Sequence, residues 1–215
     1  MKQHALLASL CLFTASCTGV ANRDTPSPAP STLTLASWNM EHLAERDGSG
    51  CRPRTDSDCA AMRDYVDALA ADVIAFQEVE SRAAAERVFD PSRYSVVIEA
   101  RIGSGRNGAC GGRPGLTINA QRTGFAIRKG LSFDRQPDVT DLQAGNPDLR
   151  SGVDVIVRPT GGKPMRLLSV HLKAGCSAGD RNEDCAALFE QVPAMERRID
   201  ARASEALRFA VLGDF

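Results

Sequence analysis

Four polar residues stand at the ends of otherwise apolar runs: Asn39 after Leu-Ala-Ser-Trp, Glu78 after Ile-Ala-Phe-Gln, His171 after Leu-Leu-Ser-Val, and Asp214 after Val-Leu-Gly. Side chains at strand ends gather on one rim of a sheet, where open α/β sheets place their sites. A carboxamide, two carboxylates and an imidazole on one rim suit a hard divalent cation and a phosphate oxyanion. Hydrolysis of a phosphodiester needs such a set: the ester repels hydroxide, and charge accumulates on its oxygens in the transition state, where a cation and an imidazolium offset it. A carboxylate within one hydrogen bond of water supplies the base, worth ~10²–10⁴-fold. Taken singly, each residue has a plainer reading. A strand-terminal Asn or Asp is a turn former, Gln77-Glu78 a solvated helix cap, and His171 a satisfied core or surface histidine. Their joint occurrence is what points to a site.

The elements that must position them follow a β-then-α rhythm. Residues 33–39 form an apolar strand, and a helix follows with Asp58 as candidate N-cap and Met62, Val66 and Leu69 on one face. Strands are expected at 73–77, 94–98, 123–128, 153–158, 166–172 and 209–212, with a short helix at 83–89 after Ser81. A longer helix is expected over 185–203, with Leu188, Val192, Met195 and Ile199 inward and an interruption or restart at Pro193. Alternation early and consecutive strands later predict a layered α/β domain with a mixed sheet. The glycine-rich stretch 103–115, with Arg106 and Arg113, lacks the Gly-Lys-Ser/Thr ending of a phosphate-cradling loop. It reads as a hairpin loop, or as a basic loop that contacts substrate.

With 215 residues, 43% hydrophobic and 25% charged, the chain buries one substantial core, which excludes an intrinsically disordered protein. Lys plus Arg number 26 against 27 Asp plus Glu, so a polyanionic substrate must meet a local basic site and not a global field. At the N-terminus, Lys2 and a short apolar run ending in small residues form a signal-peptide pattern over 1–16. Thr14-Ala15-Ser16-Cys17 resembles a bacterial lipobox, which would lipidate Cys17 and give an envelope lipoprotein; plain secretion to the periplasm or beyond is the alternative. The Pro/Ser-rich stretch 17–32 is a semi-extended tether, and the domain proper is 33–215. Export into an oxidising compartment predicts two short-loop disulfides, Cys51–Cys59 and Cys176–Cys185, each contributing ~2 kcal/mol. Cys110 is then a free thiol, or its partner lies outside this sequence.

Residues 37–41 (Ser-Trp-Asn-Met-Glu), 72–79 (Asp-Val-Ile-Ala-Phe-Gln-Glu-Val), 168–172 (Leu-Ser-Val-His-Leu) and 211–215 (Val-Leu-Gly-Asp-Phe) resemble the successive motifs of the endonuclease/exonuclease/phosphatase superfamily, the deoxyribonuclease-I-like fold. The resemblance runs from about Leu33 to the last residue and is strongest to exported, cysteine-containing bacterial members. It implies a four-layered α/β sandwich and metal-dependent phosphoester hydrolysis with Mg²⁺, or Mn²⁺ or Ca²⁺. By motif position Glu78 is the principal metal ligand with Asn39 beside it. His171 acts on the scissile phosphate as electrostatic stabiliser or proton donor, and Asp214 orients and deprotonates the attacking water. Arg150, just ahead of a strand, is a phosphate contact by analogy, with a surface arginine of no role as the equal alternative.

The sequence also departs from the pattern. The family motif Gly-Asp-x-Asn is represented by Gly213-Asp214-Phe215, without its Asn or the later segment carrying a closing Asp-His pair. The expectation is therefore a C-terminally incomplete sandwich. The leading reading is a nuclease-like phosphodiester hydrolase acting on nucleic acid, monomeric, and touching a membrane only through its lipid anchor. A non-catalytic envelope lipoprotein or inactive truncated product is the reading from a different class, and a small-molecule phosphatase or phospholipid phosphodiesterase is a third.

Overall fold

A computed structural model describes residues 32–101 and 108–215. The signal peptide, nearly all of the tether, Cys17 and residues 103–107 of the glycine-rich stretch lie outside the described residues. Among the described residues, eight strands form two four-stranded sheets. The first has the order β1 (Leu35–Leu43), β2 (Val73–Val79), β4 (Arg122–Arg128), β3 (Tyr94–Ile98), and the second β5 (Ser132–Arg135), β6 (Val153–Arg158), β7 (Met165–His171), β8 (Arg208–Asp214). Only β1/β2 and β7/β8 are parallel.

The sheets pack face to face, with Val73, Ala75, Phe125 and Ile127 of the first against Val153, Val155, Val157 and Leu167 of the second. Helices α1 (Asp56–Leu69) and α2 (Arg82–Glu86) cover the other face of the first sheet through Cys59, Val66, Ala84 and Ala85, and α3 (Glu183–Ala203) covers the second through Ala194 and Met195. The result is the expected α/β sandwich of four layers. Covering on both faces explains the unbroken apolar run of β2, which a half-solvated strand would replace by alternation. Among the described residues, no helix is long and apolar enough to cross a membrane.

Several local expectations are corrected. Thr55, not Asp58, is the N-cap of α1: Asp58 sits at the third helical position and closes a capping box with Thr55. Helix α3 runs through Pro193 without a restart and buries Gln191, Ala194 and Met195, which rotates Val192 (40% exposed) and Ile199 (37% exposed) outward. The expected Cys51–Cys59 disulfide does not form. Capping at Thr55 turns Cys59 to the core face of α1, where it is a buried free thiol, while Cys51 pairs with Cys110 across 59 residues. Closing so long a loop restricts the unfolded chain by about 4 kcal/mol, more than the short bridge would. Cys176 pairs with Cys185.

Candidate active site

The site begins where two strands break. β1 and β2 run in register from Leu35 with Val73 to Asn39 with Gln77, and then the pairing shifts; β2 and β4 shift between Phe76 and Val79. At these bulges three non-glycine residues take left-handed backbone, Glu41 (φ 44°), His42 (φ 60°) and Glu78 (φ 59°). Such conformations cost about 1–3 kcal/mol each and persist where the surroundings hold them, above all at functional sites. Bulges re-aim side chains. Here they turn Glu78 out of a strand whose neighbours Gln77 and Val79 are buried, leaving it half-buried at the rim.

The side-chain amide of Asn39 bridges two carboxylates, donating to Glu78 Oε1 (3.1 Å) and Asp214 Oδ2 (2.8 Å), while its Oδ1 accepts the Glu41 backbone N–H (2.9 Å). The second Glu78 oxygen accepts the His42 backbone N–H (3.2 Å) and lies 3.6 Å from His42 Nε2. His171 Nε2 is 3.9 Å from both Glu78 Oε1 and Asp214 Oδ2. Asn39, Glu78, His171 and Asp214, drawn from four strands and both sheets, are thus in one place. The parallel pairing of β7 with β8 places His171 opposite Asp214. Gly213 is required there: at φ 150° a Cβ would collide with the Val170 carbonyl oxygen.

Arg150 joins them through the backbone, its Nε donating to the His171 carbonyl (3.0 Å) and one terminal nitrogen to the Leu172 carbonyl (2.9 Å). Among the described residues no carboxylate lies within ion-pair distance of it, and its other terminal nitrogen has no partner. Burial lowers the Arg150 pKa, and the Glu78 carboxylate works against that shift. His171 is pushed down to about 3, by burial first and then by the Arg150 guanidinium, with Asp214 opposing. Its imidazole is therefore neutral at physiological pH, and its buried Nδ1 has no hydrogen-bond partner among the described residues. Burial likewise lowers the His42 pKa against the pull of Glu78. A cleft of about 320 Å³ opens beside Glu78 and His171, between the Ile118–Gln121 and Asn146–Arg150 segments.

Among the described residues no three His, Cys, Asp or Glu side chains are grouped as a ready metal cage. The donors that do converge are oxygens: the Glu78 and Asp214 carboxylates joined by the Asn39 amide. That sparse, hard set fits Mg²⁺, which keeps several waters and is bound through one or two carboxylates together with substrate phosphate.

Sequence reasoning missed two residues here. His42 lies one position beyond the 37–41 motif, and its signal was being the only other histidine of the domain. Gln121, whose amide nitrogen is 3.1 Å from His42 Nε2, carries no pattern at all.

No protein-family model matches the chain, and no curated protein matches it in sequence. Among the solved structures that match its fold are the following three. D. rerio TDP2 complexed with a single strand DNA product has TM-score 0.52 and 14% identity, covering 84% of this chain and 58% of that one. The human Nocturnin catalytic domain with a bound sulfate anion has TM-score 0.53 and 12% identity, covering 87% and 66%. A β-hairpin deletion mutant of Staphylococcus aureus beta toxin has TM-score 0.52 and 12% identity, covering 86% and 67%. This chain spans about three fifths of the length of the two D. rerio TDP2 chains it matches. All three are folds of the endonuclease/exonuclease/phosphatase type. With its paired sheets and outer helices, the chain has the deoxyribonuclease-I-like fold.

Proposed function

We propose that the protein hydrolyses phosphodiester bonds of nucleic acid with a divalent cation, Mg²⁺ or in its place Mn²⁺ or Ca²⁺, held by Glu78 with Asn39 beside it. The observation that carries the reading is the convergence of Asn39, Glu78, His171 and Asp214 at one rim, next to Arg150, which has no carboxylate partner among the described residues. When bound, the cation supplies charge neutralisation at a phosphate oxygen. His171 Nε2 donates a hydrogen bond to the scissile phosphate, and Arg150 contributes its free terminal nitrogen to the same group. Asp214 orients the attacking water and accepts its proton, while Asn39 fixes the spacing of the two carboxylates. TDP2, which shares the fold, is complexed with a single strand DNA product, which supports nucleic acid over other phosphoesters.

The wider reading is an exported monomer anchored through lipidated Cys17; two disulfides in a chain of this size support an oxidising compartment. Hydrolysis of bis(p-nitrophenyl) phosphate in Mg²⁺ and in excess EDTA tests the chemistry. EDTA should abolish turnover, and Glu78→Ala and His171→Ala should each lower kcat at least ~10²-fold with circular dichroism unchanged. Unchanged turnover in either variant would remove that residue from the mechanism.

A further inference from the structure

The geometry points to the cleft beside His171 as a binding subsite for the nucleoside that flanks the scissile phosphate, a deepening that rests on the hydrolase reading above. Its cations decide the ligand class. Arg101 is neutralised internally: its Nε donates to buried Glu99 at 3.2 Å and a terminal nitrogen to the Gln121 carbonyl at 3.4 Å. Lys173 is neutralised by Asp184 at 2.5 Å. Of the cations lining the cleft, that leaves Arg150, at its His171 end, as the one without a carboxylate partner among the described residues. The cleft therefore takes a single phosphate at one end and a neutral body beyond it. An inositol phosphate or polyphosphate would need further uncompensated cations there.

The walls say what that body is. Ile118 and Leu149 offer aliphatic faces, and Asn119, Gln121 and Asn146 offer carboxamides. Each amide is half committed: Asn119 Nδ2 donates to Ser49 Oγ at 3.1 Å, Gln121 Nε2 contacts His42, and Asn146 Oδ1 accepts the Asp148 N–H at 2.9 Å. Two amide oxygens and one amide nitrogen are thus without partners among the described residues, with the Asp148 carboxylate beside them. Mixed donors and acceptors between apolar faces match the edge and face of a nucleobase, whereas an acyl chain would leave them unsatisfied. A volume of about 320 Å³ suits one nucleotide unit.

The test compares two esters with the same leaving group, the p-nitrophenyl ester of thymidine 5′-monophosphate and bis(p-nitrophenyl) phosphate, together with equilibrium binding of thymidine monophosphate by NMR titration. Wild type should prefer the nucleotide ester in kcat/KM by about tenfold or more and bind the monophosphate. Leu149→Trp, which fills the cleft, should cut the preference to near one and abolish binding. Asn146→Ala, at an exposed position, should lower the preference about threefold or more with circular dichroism unchanged. Equal turnover of both esters with no nucleotide binding would overturn the subsite while leaving the hydrolase reading in place. Nucleotide binding lost in Leu149→Trp, with neither ester hydrolysed by wild type, would support the subsite and remove the hydrolase reading.

Discussion

His171 occupies a pocket that disfavours a proton. Burial and the Arg150 guanidinium both oppose its charged form, and Asp214 restores only part of what they remove. Its folded pKa of about 3 lies below the unfolded value of 6.5, so between those limits the unfolded chain holds the extra proton. The stability this gives is fully present above pH 6.5 and is lost as pH falls toward 3, at up to about 1.4 kcal/mol per pH unit. Urea midpoints in EDTA should fall from pH 6.5 to 5, and His171→Asn should fall measurably less over the same range. Parallel curves would mean that the imidazole is solvated. The four residues singled out at strand ends were legible because each polar side chain interrupts an apolar run. His42 and Gln121 were not, since their roles arise from a bulge and a cross-strand approach that leave no local periodicity.

At the scale of elements, the site is set by places where regular pairing fails. Gly213 lets β8 approach β7 closely enough to bring Asp214 to His171. Gly213→Ala should push the strands apart, lowering stability by about 1–3 kcal/mol and activity by more than His42→Ala does, as read from thermal melts and kcat/KM. Glu99 works from beneath: fully buried, it accepts the Ser151 N–H and hydroxyl at 2.9 Å and the Arg101 Nε–H, tying β3 to the segment that carries Arg150. Burial pushes its pKa up against the pull of Arg101. Removing one partner of such a pair strands the other, so Glu99→Ala should cost about 3–5 kcal/mol, and Glu99→Ala with Arg101→Met distinctly less. Additive losses in denaturant melts would show that the two do not act as a pair. The strands and α1 were readable from apolar runs and capping chemistry, with Asp58 displaced by three positions because Asp and Thr both serve as caps. Of the two disulfides, Cys176–Cys185 was readable and Cys51–Cys110 was not, because the cysteine nearest to Cys51 in sequence, Cys59, is carried by the helix into the core.

For the whole molecule, the layering follows from elements that each need a cover, and the two sheets meet at the site through β1 and β8, each at the edge of its own sheet. A formal net charge of −1 gives no general attraction for polyanions, so in the proposed function recognition falls to the few groups at the rim. The proposed chemistry therefore depends on one group more than any other, the Glu78 carboxylate, which is shared by Asn39, His42 and His171. The most direct measurement is cleavage of a labelled single-stranded oligonucleotide by the wild-type protein and by Glu78→Gln, across a Mg²⁺ titration under single-turnover conditions. Cleavage should saturate with Mg²⁺ in the wild type, vanish in EDTA, and fall at least ~10²-fold in Glu78→Gln, which keeps the shape and removes the charge. Wild-type cleavage that is indifferent to EDTA, or a Glu78→Gln variant that cleaves with an unchanged Mg²⁺ response, would contradict it.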